Sequence, residues 1–313
     1  VLALLFPGQG SQEVGMGRDA FEASAAARAV FDEADAALGL PLSRICFEGP
    51  EDELRRTEIQ QPALLTTSIA LLRGYEEAAG EIAADYFGGH SLGEYSALVA
   101  SGALAFEDAV RLVHARGRFM QEAVAEGRGA MAAVMGCGPE VVREACEQAA
   151  ADRGEVVAPA NYNSPQQTVI AGEAGAVEAA GALARERGAK RVVALPVSAP
   201  FHCALMSPAA AKLRPELDRV AFRAPRRPVV TNVEAAPNED PERIPDLLEQ
   251  QVTAPVRFTE MVECLQGLGV TSFLEVGAGR VLSGLLARID RRAQRGNLSS
   301  WADVDEVRAF LAG

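Results

Sequence analysis

Short apolar runs alternate with stretches of helical spacing along almost the whole chain. That alternation predicts a parallel sheet covered on both faces. Residues 2–6 (LALLF) read as a first buried strand. Helical spacing follows over 17–38 and 62–79, the second opening at Pro62, a good first-turn residue. Residues 83–88 predict a strand, and 92–101 and 107–126 predict helices. The middle of the chain has another rhythm. GAMAAVMG (129–136) predicts a strand, and 139–151 a helix begun by Pro139. Strands at 155–160 and 167–171 are joined by NYNSPQQ, which is rich in turn formers. Helix 174–188 and strand 190–196 complete the order β-α-β-β-α-β of a ferredoxin-like unit. Beyond it come helix 204–219, strand 228–231, helices near 241–251 and 257–267, strand 272–276 and a terminal helix.

Composition narrows the class. With 49 % apolar and 23 % charged residues among 313, a sizeable core can be buried and disorder is disfavoured. Five scattered cysteines without a CxxC pair argue for reduced thiols in a cytoplasmic protein, with neither a disulfide framework nor a zinc site. The opening VLALLFPGQG reads as a strand, not a signal peptide. No apolar run approaches the ~20 residues of a membrane span. A formal charge of −13 disfavours nucleic acid as a partner. Two basic clusters run against it: Arg185, Arg187, Lys190 and Arg191, then Arg288, Arg291, Arg292 and Arg295. Either is a solvated face or a contact for an acidic partner.

The sharpest chemical signal is Gly89-His90-Ser91-Leu92-Gly93, a G-x-S-x-G pattern between a strand and a helix. A serine at the tip of such a turn needs neighbours without a Cβ, and the following helix points its first amides at the space above the hydroxyl. A plain glycine-rich loop is the competing reading. A serine hydroxyl also needs a base. Of three histidines, His90 adjoins Ser91 and points the other way, and His114 lies within a helix. That leaves His202, in a loop after a strand. Asp108, Asp152 and Glu173 offer no convincing third member, so a Ser–His dyad oriented by a main-chain carbonyl is expected. Arg116 lies three residues from both Val113 and Phe119, on the apolar face of its helix. An inward guanidinium needs an anion: a substrate carboxylate, or an internal salt bridge. Arg118 points outward. The expected fold is α/β. A parallel-sheet, α/β-hydrolase-like large domain (1–127 and 198–313) carries an inserted ferredoxin-like domain (128–197), hinged at GRGAM (127–131) and PVSAP (196–200).

FPGQGSQ (6–12), QPALL (61–65), GHSLGE, NYNSP (161–165), SAPFHC and VTAPVRF (252–258) follow one another in an order that resembles the malonyl-CoA:acyl carrier protein transacylases and the related acyltransferase domains of polyketide synthases. The likeness covers nearly the whole chain, and that family's fold also contains a ferredoxin-like insertion. It implies that Ser91 is acylated and that His202 is the base. Gln251, or Gln250 one residue earlier, would supply the carbonyl that holds the histidine. Gln9 and Leu92 would give the oxyanion amides, Gln61 and Asn163 would line the cleft, and Arg116 would take the malonyl carboxylate. Phe201 would crowd an α-methyl group and favour malonyl over methylmalonyl, although SAPFH replaces the HAFH of many polyketide domains. The substrates implied are malonyl-CoA and an acyl carrier protein of fatty-acid or polyketide synthesis. Coenzyme A enters as a thioester substrate, with no cofactor, metal, nucleic acid or membrane, and a monomer is expected. Two other classes compete: a serine esterase or thioesterase on a similar elbow, and a non-catalytic module that docks carrier protein.

Overall fold

The computed structural model describes residues 1–197 and 199–313. Its strands in chain order are β1 (Leu2–Phe6), β2 (Tyr86–Gly89), β3 (Gly129–Met135), β4 (Val157–Ser164), β5 (Gln167–Glu173), β6 (Arg191–Ala194), β7 (Val229–Val230), β8 (Pro237–Asn238), β9 (Ser272–Val276) and β10 (Gln294–Leu298). They form two sheets. The larger has the order β10-β9-β1-β2-β7-β8 and is parallel except for the β7–β8 pair. In β1 the side chains divide with period two. Ala3 and Leu5 join the helices Phe258–Gly267 and Val281–Ile289 on one face, and Leu4 and Phe6 join Thr57–Ala79 and Leu92–Ala100 on the other. Both faces are covered, which is why LALLF shows no polar alternation.

The smaller sheet is antiparallel, ordered β4-β5-β3-β6, and carries helices Pro139–Arg153 and Ala174–Glu186. This is the ferredoxin-like arrangement. Ala132, Val134 and Ile170 pack under those helices with Val142, Cys146 and Val177. Met131, Ala133, Val169 and Ala171 face the main core instead. Main-chain bonds tie β4 of the small sheet to the connection before helix Phe258–Gly267: Val256 N donates to Ala160 O at 2.8 Å, and Tyr162 N donates to Val256 O at 2.9 Å. The expected return to the large domain, at residue 198, lies outside the described residues.

Several boundaries differ from the sequence reading. The helix expected over 17–38 is two, Arg18–Ala23 and Ala25–Leu38, because Ser24 leaves helical geometry and its hydroxyl caps Ala27 N at 3.0 Å. The helix expected to open at Pro62 begins at Thr57, so Pro62 lies inside it. β4 extends through Asn163, using part of the expected turn as strand. After β9 come helix Val281–Ile289, the unforeseen β10 and helix Val304–Ala312. β10 (QRGNL) is a polar edge strand with one buried residue, so it carries no apolar run to recognise.

Candidate active site

The quoted motifs gather at the carboxyl ends of the parallel strands, where open α/β sheets bind ligands. FPGQGSQ follows β1, GHSLGE follows β2, and Asn232 follows β7. Ser91 holds φ 52° and ψ −106°, a strained conformation at the head of helix Leu92–Ala100. Its two glycines are steric necessities. A Cβ on Gly89 would lie 2.1 Å from the Gly93 carbonyl carbon, and one on Gly93 would lie 2.0 Å from Phe6 O. The turn therefore fits only by pressing the helix against the end of β1.

His202 is the second strained residue, with φ 60°. Its Nε2 lies 2.7 Å from Ser91 Oγ, and its Nδ1 lies 2.9 Å from Gln251 O. A carbonyl can only accept, so Nδ1 carries the hydrogen and Nε2 presents a lone pair to the serine hydroxyl. The carbonyl belongs to Gln251; Gln250 is exposed. Burial first, and then the Arg116 charge, push the imidazole down to about 3, so it is neutral at physiological pH.

Arg116 is fully buried. Its Nη1 donates to Gln61 Oε1 at 2.7 Å, and its Nη2 donates to Gln251 Oε1 at 2.9 Å and Ser91 Oγ at 3.1 Å. Its Nε has no hydrogen-bond partner among the described residues, and Cζ lies 5.5 Å from the centre of the Tyr95 ring. Every acceptor is neutral. Among the described residues no carboxylate forms an ion pair with Arg116, so the internal salt bridge left open by the sequence is not there. Arg118 is exposed, over the ring of Phe119.

The remaining expected residues fall as follows. The Leu92 amide opens its helix, and neither it nor the Gln9 amide has an acceptor among the described residues. Gln9 Nε2 reaches Gln60 Oε1 at 2.5 Å. Gln61 is buried behind Arg116, and its Nε2 lies 3.8 Å from Met120 Sδ. Asn163 is buried. Its Oδ1 lies 2.8 Å from His90 Nε2, tying β4 to the elbow. Phe201 borders a cleft of about 930 Å³ between the large sheet's loops and residues 195–197, with Gln9, Gln60, Arg118 and Gln121 among its walls.

Two site residues escaped the sequence reading. Glu94 is buried; its Oε2 accepts from Asn232 N at 3.0 Å and Gln251 Nε2 at 2.7 Å. Burial raises its carboxyl to about 7, against the lowering effect of those bonds and of Arg116. Asn232 bridges the elbow: Oδ1 accepts from Ser91 N at 2.7 Å, and Nδ2 donates to Gly89 O at 2.7 Å. The glutamate stood in the quoted GHSLGE; nothing in the sequence near Asn232 marks it.

Residues 3–294 match the family described as acyl transferase domain. The malonyl CoA-acyl carrier protein transacylase of Escherichia coli K12 is 51 % identical over 92 % of each chain. An acyl carrier protein S-malonyltransferase structure from Vibrio cholerae superimposes with a TM-score of 0.94 at 46 % identity, covering 98 % of this chain and 99 % of that one. A malonyl-transacylase solved in complex with its type II polyketide synthase acyl-carrier protein gives 0.95 at 45 % identity, over 98 % and 99 %. The chain belongs to the acyl transferase family, among the malonyl CoA-acyl carrier protein transacylases.

Proposed function

We infer that the protein moves a malonyl group from malonyl-CoA to the phosphopantetheine thiol of an acyl carrier protein, in fatty-acid or polyketide synthesis, through an acyl-Ser91 intermediate. His202 Nε2 takes the hydroxyl proton as Ser91 Oγ attacks the thioester carbon. The amides of Leu92 and Gln9 receive the oxyanion, consistent with their lack of other acceptors. As the carbon–sulfur bond breaks, His202 returns the proton to the coenzyme A sulfur. In the second half His202 takes the proton of the carrier thiol, whose sulfur attacks the acyl-serine, and returns it to Ser91 Oγ. Arg116 would hold the malonyl carboxylate by the planar two-pronged contact that lysine cannot copy. Each proton and developing charge has a residue assigned to it, so the route calls for no cofactor. Phe201 beside the cleft would disfavour an α-methyl branch. The site is built from one chain, which fits a monomer, and five free thiols fit a cytoplasmic setting.

One observation carries the reading: Ser91 Oγ lies between a neutral imidazole and a buried guanidinium whose acceptors are all uncharged. An esterase for uncharged acyl groups has no use for that cation, and among the described residues the partner of His202 Nδ1 is a main-chain carbonyl, not a carboxylate. Incubation with malonyl-CoA and intact-mass measurement tests the inference. A stable malonyl adduct, lost in Ser91→Ala, is expected. Immediate release to water would point to a thioesterase, and no adduct at all to a docking module.

A further inference from the structure

The contact between Arg116 Nη2 and Ser91 Oγ does more than mark where an anion binds. The serine hydroxyl has one hydrogen. His202 Nε2, at 2.7 Å, takes it, since Nδ1–H is committed to Gln251 O. The guanidinium is a pure donor, so at 3.1 Å it must occupy a lone pair of the same Oγ. The second lone pair stays free, but a hydrogen bond donated by a cation draws electron density from the oxygen and makes it a weaker nucleophile. The positive charge beside it also opposes any transfer of the hydroxyl proton onto His202, because the imidazolium would form next to a buried cation. Among the described residues no carboxylate contacts the guanidinium directly. From helix Leu92–Ala100, Glu94 faces the site but spends Oε2 on Gln251 and Asn232, and Tyr95 offers only its ring and phenol. From the end of β2, His90 turns to Asn163 and is kept neutral, since burial lowers its pKa.

Resting on the malonyl-transfer reading, the geometry points to Arg116 as a restraint on Ser91 that a substrate carboxylate releases. The carboxylate draws Nη2 away from Oγ and neutralises the charge facing His202. Discrimination against acyl-CoAs without a carboxylate then falls on the chemical step as well as on binding. It also persists after acylation. A malonyl group on Ser91 keeps its own carboxylate at Arg116, so His202 remains basic enough for the carrier thiol. An acetyl group leaves the cation unopposed. The chemistry is ordinary acyl transfer: the Oγ–carbon bond forms, the carbon–sulfur bond breaks, and the proton passes through His202 to sulfur. The carboxylate is not consumed.

The restraint predicts chemical rescue. Acetyl-CoA plus formate together supply the two parts of a malonyl group, so sodium formate should speed acetylation of Ser91. Relief equivalent to one pKa unit gives about tenfold. The rate is read by intact mass, with sodium chloride at equal ionic strength as the control. In Arg116→Met, acetylation should be faster than in wild type without formate and unaffected by it. The wild-type experiment stands alone if that variant fails to fold. Acetylation unchanged by formate, in protein that still forms the malonyl adduct, would overturn the restraint and leave the transfer reading intact. Absence of the malonyl adduct would overturn both.

Discussion

At the scale of single residues, two buried titrating groups sit within one hydrogen-bond network and pull stability in opposite directions. Glu94 is raised from 4.5 to about 7, chiefly by burial. Between those values the folded protein holds a proton that the unfolded chain releases, so stability falls as pH rises through that window. His202 is lowered from 6.5 to about 3, again chiefly by burial. Its contribution is complete above 6.5 and is lost as pH falls, because only the unfolded chain takes up the proton there. Between 4.5 and 6.5 the two slopes oppose each other. Glu94→Gln keeps an acceptor oxygen for Asn232 and Gln251 and removes one slope. Acidification from 6.5 to 4.5 should therefore destabilise the variant more than wild type, by about 3 kcal/mol for two pKa units. Urea midpoints across that range measure it; parallel curves would mean that Glu94 titrates near 4.5. Ser91, His202 and Arg116 were legible in the sequence because few alternatives existed. Three histidines allowed elimination, and the apolar neighbours of Arg116 fixed its direction. Gln251 was legible only through its carbonyl. Its side chain, which meets Arg116, Glu94 and Ser91 O, depends on elements that approach only in the fold.

At the scale of elements, the departure at Pro62 shows how a breaker is accommodated. A proline here removes the amide hydrogen that Glu58 O, four residues earlier, would accept. His114 Nδ1 fills the gap, lying 2.8 Å from that oxygen. The histidine that sequence reasoning set aside as structural thus joins helix Phe106–Glu122 to helix Thr57–Ala79. About one turn further along helix Phe106–Glu122 the helices come closer still: a Cβ on Gly117 would stand 2.5 Å from Thr57 O. That approach lets Arg116 reach Gln61 across the same interface. Helix type was readable from periodicity, but the starting turn was not, because the group that compensates for Pro62 lies 56 residues from the Glu58 carbonyl it serves. His114→Leu should leave Glu58 O without its partner and cost about 1–2 kcal/mol in urea unfolding. The rate of Ser91 acylation should stay near wild type, since the imidazole touches no reacting atom. An unchanged midpoint would show that water serves Glu58 O equally well.

At the scale of the whole molecule, the inserted sheet was legible because hydrophobic rhythm changes at residue 129; its docking through Val256 was not, because main-chain pairing leaves no side-chain signature. The fold also joins the two basic clusters that the sequence kept apart. Arg191 pairs with Met135 and Met135 with Gln167, at one end of the small sheet, and exposed Arg288 donates to Gln167 Oε1 at 2.5 Å. A carrier protein rich in carboxylates would meet a chain of charge −13 unfavourably from most directions, and this end favourably. At physiological salt the screening length is about 8 Å, so the local charges should govern the encounter. The kcat/KM for carrier protein should therefore fall as ionic strength rises, against the sign that net charge alone would give. Replacing Arg191 and Arg288 by glutamate takes −13 to −17, two units for each reversal. The pair should lower kcat/KM for the carrier about tenfold or more, with acylation by malonyl-CoA unchanged. Arg28→Glu with Arg219→Glu, two exposed positions in other helices or their ends, makes the same change in net charge elsewhere. If both pairs slow the carrier equally, the repulsion is global and docking lies on another face.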